Sequence, residues 1–277
     1  MENILVPIDF SATAKNAAHY AIEFAKQMQA KKIILYNAYQ TPPAVDVNMA
    51  VVETIDVAAL KEISEKQMED FRMTLYPFCA KGMELTTICE YGYLRSNVNE
   101  VCHETKTDII VMGVTGAGKV TESIMGSTAV DVARASEVPV IIVPPGASYT
   151  KIEEVMLACD FKKVVETTPV GPLKKILDET HAKLFVLNVD HAQRNFKPDT
   201  PFESLMLDTL LHGYNPEYIF KDSENFVEAI NETALEKQVD LIITIPKKMG
   251  WFDHIFHRSH TKQLAFHSHV PIMVMHE

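Results

Sequence analysis

Three glycines, a serine and a threonine have the spacing best suited to binding chemistry in this chain. Gly113 and Gly116 form G-x-x-G, and after nine further residues come Gly126, Ser127 and Thr128. Glycines let main-chain amides approach a polyanion closely, and a helix N-terminus adds aligned N–H donors with partial positive charge. The two hydroxyl groups add further donors. The pattern therefore predicts a loop that binds a phosphate chain, with no metal strictly required.

The same stretch nearly matches a P-loop. The pattern G-x-x-x-x-G-K runs from Gly113 to Lys119, but Val120 stands where a P-loop has the Ser or Thr that binds magnesium. A P-loop also normally follows the first strand of its domain, and this stretch lies far along the chain. We therefore reject the P-loop interpretation. A set of plain glycine turns is the structural alternative.

Buried strands must position this loop. Continuous apolar runs occur at 33–36, 109–112 and 140–143, and again at 184–187, 241–245 and 272–275. Such runs are typical of strands buried on both faces of a parallel sheet. Each half reads as strand, helix, strand, long connection, helix, strand, helix, strand. This alternation predicts an α/β fold with doubly wound, open parallel sheets, in which ligands lie beyond the carboxyl ends of the strands.

The first helix has a clear start and a clear apolar face. Ser11 or Thr13 can cap its N-terminus. Helical spacing connects its apolar positions, which are Ala17, Ala18, Ala21, Ile22 and Ala25.

The chain contains two copies of one pattern. The segments that begin at Asp108 and Asp240 align without a gap, because both open with Asp-apolar-Ile-Ile and close with Val-Pro-apolar-apolar-Val. Upstream, ILVPID at 4–9 corresponds to VMLACD at 155–160, and KKIILYNA corresponds to AKLFVLNV. The stretch PPGAS between the copies extends neither a strand nor a helix. We predict two domains, 1–146 and 150–277.

The second copy lacks the glycines. Ile245, Lys248 and Arg258 stand at the positions of the three loop glycines, and Ser259 alone is retained. Side chains there fill the space in which amides would meet phosphate, so we do not expect the same binding in this copy. Lys247, Lys248 and Arg258 could still attract an anion, although such charges are more often a solvated surface.

Composition and charge limit the partners and the cellular compartment that we expect. The 277 residues carry a formal net charge of -11, and such a surface repels nucleic acid on average. The N-terminus lacks the features of a signal peptide, and no run approaches the roughly 20 apolar residues that span a bilayer. Four cysteines without CxxC spacing suit a reducing compartment. We expect a cytoplasmic protein that binds neither nucleic acid nor membrane.

The glycine pattern, in a repeat that begins ILVPIDFS, resembles the ATP-binding branch of the universal stress protein family. The resemblance covers essentially the whole chain as two tandem copies, and it implies the Rossmann-like fold of the adenine nucleotide alpha hydrolases. It places Gly113, Gly116, Gly126, Ser127 and Thr128 at the phosphates and ribose, and Pro7, Asp9 and Ala38 near the base. Asp9 has a second interpretation, because a carboxylate after a strand often caps the next helix.

The resemblance implies a stress-response regulator that binds ATP, ADP or AMP in its first copy. Mg²⁺ could bind together with the nucleotide. It also implies a pseudo-dimer in which the strands at 140–143 and 271–275 pair, and it leaves a homodimer of the whole chain open. We identify no catalytic residue. Slow ATP hydrolysis stays open, because Asp9 or a metal could orient a water. A nucleotide-processing enzyme and a scaffold without ligand are the alternatives.

Histidines, cysteines and two long connections are the remaining candidates for a functional role. His254 and His257 would share a helical face beside Asp253, which raises a metal hypothesis, although isolated surface histidines are the favoured interpretation. No cysteine has a neighbour whose spacing indicates a nucleophile. The connections at about 41–55 and 190–215 are long, and the first is apolar for a loop. It could cover the nucleotide, pack on the other domain or bind a partner.

Overall fold

A computed structural model of the chain describes residues 1–41, 56–114, 127–190, 200–245 and 270–276. Within these ranges one sheet contains ten strands in the order β3-β2-β1-β4-β5-β10-β9-β6-β7-β8. The strands are β1 Asn3–Pro7, β2 Lys32–Tyr39, β3 Glu84–Tyr91, β4 Ile109–Gly113, β5 Val140–Val143, β6 Glu154–Ala158, β7 Lys183–Asp190, β8 Glu217–Asp222, β9 Leu241–Thr244 and β10 Ile272–Val274. All neighbours are parallel except β5 and β10.

Helices cover both faces of this sheet. They are α1 Ala12–Gln27, α2 Val57–Leu75, α3 Leu94–Glu104, α4 Ser127–Ala135, α5 Val164–Thr167, α6 Val170–Thr180, α7 Thr200–Leu210 and α8 Phe226–Glu236. Residues of α1, α2, α5, α6 and α7 belong to one apolar cluster, and residues of α3, α4 and α8 belong to the other. The predicted doubly wound α/β fold is thereby confirmed. None of the helices in the described ranges is long and apolar enough to cross a lipid bilayer.

The first helix begins where the sequence indicates. The Ser11 hydroxyl accepts a hydrogen bond from the Ala14 amide at 3.1 Å, so Ser11 rather than Thr13 is the cap. The five apolar positions predicted for its inner face are all buried. The helix therefore presents its N-terminus at the carboxyl end of β1.

Each half contains five strands, so the four inferred from the sequence were one too few. The two outermost strands, β3 and β8, mix polar and apolar residues as ELTTICEY and EYIFKD. A strand at the edge of a sheet is only partly buried, so it lacks the continuous apolar run that marks a central strand. The second long connection is also shorter than expected, because α7 lies within it. The first connection falls almost wholly outside the described residues.

The two halves repeat one hydrogen-bonding device. Asp108 Oδ2 accepts from the main-chain N–H groups of Glu2 and Asn3, at 2.6 and 3.0 Å. Asp240 Oδ2 accepts at 2.9 and 3.0 Å from the corresponding two amides at the start of β6. In both halves, this aspartate lies just before the fourth strand. It fixes the start of the first strand of the same half.

The two half-sheets join through β5 and β10. These strands are antiparallel, with Val140 opposite Val274 and Ile142 opposite Ile272. Both would otherwise be apolar sheet edges, which are prone to aggregation. Asn16 on α1 also donates to the Ala147 carbonyl in the connecting segment at 3.0 Å. The domain limits at 146 and 150 stay a prediction.

Candidate functional site

A cavity of about 420 Å³ lies at the carboxyl ends of β1, β2 and β4. The order of the strands reverses at β1, since β2 and β3 lie on one side of it and β4 and β5 on the other. Open α/β sheets bind ligands at such a switch point. The volume falls in the range of roughly 300–1,000 Å³ that is typical of small-molecule sites.

Four separate segments bring predicted site residues to this cavity. Those that line it are Pro7, Asp9, Ala38, Gly113 and Thr128. Ser127 is the first residue of α4, next to Thr128. Gly116 and Gly126 lie outside the described residues. The proposed site requires that the ends of β1, β2 and β4 and the start of α4 lie close together, and they do. The binding role of each residue stays a prediction.

Asp9 shapes the entry into α1 and also lines the cavity. Its Oδ1 accepts a hydrogen bond from the Ser11 amide at 3.0 Å, so it turns the chain just before the helix cap. Its other carboxylate oxygen accepts no hydrogen bond from any residue in the described ranges. Both interpretations of Asp9 therefore fit the geometry, because the local bond uses one oxygen and leaves the other for a ligand.

Gly113 is required by packing. A Cβ atom built on it would lie 2.3 Å from the Thr13 carbonyl oxygen and 2.6 Å from the Thr13 carbonyl carbon. The end of β4 thus packs directly on the first turn of α1, which explains this glycine without a phosphate. The interpretation based on sequence, which assigned Gly113 to the ligand, did not include this contact.

The second half differs at the matching place. Ile245 holds the position of Gly113 and is buried. The helix corresponding to α1 is broken into α5 and α6 around Pro169, because proline interrupts a helix interior. The second half therefore has a buried side chain at the end of β9, and its first helix is interrupted where α1 is continuous.

Sequence reasoning missed other residues that line the cavity. They are Ile8, Ala14, Tyr36, Gln40, Tyr93, Leu94, Arg95, Ser96, Met112 and Asp131. Four of them, 93–96, are the N-cap residue Tyr93 and the first turn of α3. An edge strand with mixed polarity conceals the corner between β3 and α3, although Gly92 directly after the strand was an available signal for a turn.

The electrostatics of the cavity are mixed. The N-terminal turns of α1, α3 and α4 all contribute lining residues, so three helix ends supply partial positive charge. Arg95 adds a full positive charge, and it forms no ion pair with a residue of the described chain. Asp9 and Asp131 add two carboxylates. A ligand with both an anionic group and hydrogen-bond donors is complementary to this arrangement.

Polar side chains hold the strand ends in place. Asn37 donates to the Ile8 carbonyl at 2.6 Å, and the Ser64 hydroxyl of α2 donates to the Asn37 amide oxygen at 2.7 Å. Tyr36 donates to Glu90 at 3.1 Å. Burial, together with the Glu90 carboxylate, raises the pKa of Tyr36, so the phenol stays protonated. These bonds fix the wall of the cavity that β1 and β2 form.

The structure offers little support for other chemistry. Among the described residues, no group of three or more His, Cys, Asp and Glu side chains could hold a metal ion. The metal hypothesis for Asp253, His254 and His257 lies outside these residues. Burial raises the pKa of the Cys102 thiol to about 11, so this cysteine is protonated at neutral pH.

Comparisons with known proteins identify the family. The model of the universal stress protein family matches residues 1–144. A universal stress protein of Synechocystis sp. is 29% identical over 144 residues, which are 52% of this chain and 85% of that protein. One from Methanocaldococcus jannaschii is 25% identical over 142 residues, covering 51% and 81%. The crystal structure of a universal stress protein from Archaeoglobus fulgidus has the same fold across both halves, with a TM-score of 0.74, 18% identity and coverage of 99% and 98%. The chain belongs to the universal stress protein family.

Proposed function

We propose that this protein binds ATP, or ADP or AMP, in the cavity of its first half and acts as a cytoplasmic stress-response module without robust catalysis. One observation carries the proposal. Residues from four segments, each predicted to contact a nucleotide, line one cavity at the switch point of the sheet. Binding without chemistry needs no positioned general base.

The proposed orientation combines what the family resemblance implies with the charges of the cavity. The base lies near Pro7 and Ala38, and the phosphates lie toward the N-terminus of α4 and the glycine loop that precedes it. Asp9 and Asp131 suit ribose hydroxyl groups or an amino group, because a carboxylate accepts hydrogen bonds from these donors. Arg95 suits a phosphate, since guanidinium pairs well with phosphate oxygens. Mg²⁺ would accompany the triphosphate.

The two halves have different roles in this proposal. Domains 1–146 and 150–277 form a pseudo-dimer through β5 and β10, and only the first domain binds nucleotide. The buried Ile245 and the break between α5 and α6 support the loss of the second site. Lys175 pairs with Asp108 at 2.6 Å across the halves, which supports their association within one chain. This pairing is within one chain, and homodimer formation is a separate proposal that size-exclusion chromatography would test.

Calorimetry tests the proposal directly. Purified protein, freed of copurified nucleotide, is titrated with ATP, ADP and AMP, with and without MgCl₂, and turnover is followed in the same samples. We expect one nucleotide per chain, because only one half retains the glycine loop. No detectable binding would reject the proposed function, and two equivalent sites per chain would reject the assignment to the first half.

Arg95→Gln should weaken ATP binding about tenfold and AMP binding less. A hydrogen bond to a charged group contributes roughly 1.5–3 kcal/mol, and solvent exposure reduces this value. Lys81→Gln is the matched control, because it removes one exposed positive charge before β3, at the opposite end of the strands. Equal effects of the two variants would show that Arg95 acts only through net charge.

A further inference from the structure

Tyr93 is an exposed aromatic side chain at the edge of the cavity. It lines the cavity and is 67% exposed. Neighbouring tyrosines are engaged, since the rings of Tyr39 and Tyr91 contact each other at 5.9 Å and Tyr36 binds Glu90. Tyr93 makes no ring contact or side-chain hydrogen bond with a described residue. An exposed aromatic surface inside a ligand cavity is available for stacking.

The corner that carries Tyr93 is held firmly. Gly92 has φ of +134°, and its amide donates to the Tyr39 carbonyl at 2.9 Å. The Tyr93 carbonyl accepts from the amides of Ser96 and Asn97, at 2.9 and 3.1 Å. These bonds fix the backbone that carries Tyr93, so only the side-chain rotamer has to be ordered when a ligand binds.

The register of the sheet places this corner beside the proposed base position. Ala38 lies opposite Glu90, and Tyr39 lies opposite Tyr91. Tyr93 follows two residues later, where β2 ends and where Gln40 donates to the Gly92 carbonyl at 3.3 Å. The corner is therefore next to Ala38, at the carboxyl end of β2.

We infer that Tyr93 is the stacking platform for the base of the bound nucleotide, which makes a planar heteroaromatic base a requirement of the site. The inference rests on the proposed function, because it assigns a positioning residue to the same cavity. Aromatic side chains stack on any base through their π faces. Tyr93 should therefore select nucleotides over sugar phosphates and polyphosphate, and discriminate little between purine bases.

The test compares substitutions of Tyr93 and ligands with and without a base. Tyr93→Leu should weaken ATP binding about tenfold, whereas Tyr93→Phe should stay within about twofold of the wild type, because stacking needs the ring and not the hydroxyl. Tripolyphosphate, measured by its displacement of a fluorescent ATP analogue, should bind all three proteins equally. Tyr76→Leu is the matched control, since Tyr76 is exposed at the end of α2 and does not line the cavity. Far-UV circular dichroism and thermal unfolding confirm that each variant is folded.

The outcomes separate the two ideas. Wild-type protein that binds no ATP rejects the proposed function. Wild-type binding that Tyr93→Leu leaves unchanged rejects stacking alone, and so does an equal loss in Tyr93→Phe and Tyr93→Leu, which would indicate a hydrogen bond from the hydroxyl. A parallel loss of tripolyphosphate affinity in Tyr93→Leu would also overturn the inference, because a ligand without a base cannot stack.

Discussion

Gly116→Lys and Gly126→Arg, each introduced alone, are expected to abolish ATP binding, with a loss of affinity of roughly a hundredfold or more. Both substitutions copy the residues of the second half into the first. A side chain at either position prevents main-chain amides from meeting the phosphates, and each lost hydrogen bond to a charged group costs roughly 1.5–3 kcal/mol. The added positive charges favour ATP, so a loss of affinity would isolate the steric and hydrogen-bonding contribution. Calorimetric titration with ATP measures the effect.

Gly171 provides the control for these variants. It is an exposed glycine in α6 of the second half, and a Cβ atom there meets nothing within 4 Å. Gly171→Lys and Gly171→Arg therefore add the same side chains without touching the proposed site, and ATP affinity should not change. Wild-type affinity in both loop variants would show that the phosphates do not lie on this loop.

Gly113→Ala should destabilise the first half by about 2–3 kcal/mol, which is the upper part of the range for overpacking. The new Cβ atom would lie 2.3 Å from the Thr13 carbonyl oxygen, so α1 must move away from β4. Because Asp9 and Ala14 line the cavity from this side, ATP affinity should fall as well. Urea unfolding followed by circular dichroism measures the free energy, with the two halves fitted as separate transitions if they unfold separately.

This prediction separates two kinds of glycine. Gly113→Ala should lower stability with and without nucleotide, whereas the Gly116 and Gly126 variants should unfold like the wild type when no nucleotide is present. Gly171→Ala is the control: its Cβ meets no atom beyond its chain neighbours within 4 Å, and although Pro172 crowds the preceding residue, the loss of stability should stay well below that of Gly113→Ala. Unchanged stability of Gly113→Ala would mean that α1 and β4 separate at little cost, and would restore a ligand-based reason for the glycine.

The sequence by itself determined the fold class and predicted one part of the proposed site. Strands buried on both faces need continuous apolar runs, so the central strands at 109–112 and 140–143 were recognisable. The repeat that begins at Asp108 and Asp240 was visible because the two segments align without a gap, and both aspartates accept hydrogen bonds from two amides at the start of the opening strand of their half. The glycine pattern that predicts a phosphate-binding loop was recognisable because its residues are close together along the chain.

Only the tertiary structure decided which distant residues share the cavity. Tyr93 and Arg95 follow β3, whereas Asp131 follows β4, and no spacing rule connects these two places, because strand order and not chain order sets their separation. Tyr93 follows the edge strand β3, which the sequence analysis did not predict because its residues are of mixed polarity. The role of Gly113 likewise depends on a helix turn about a hundred residues earlier in the chain, and close packing between distant segments leaves no local signature in a sequence.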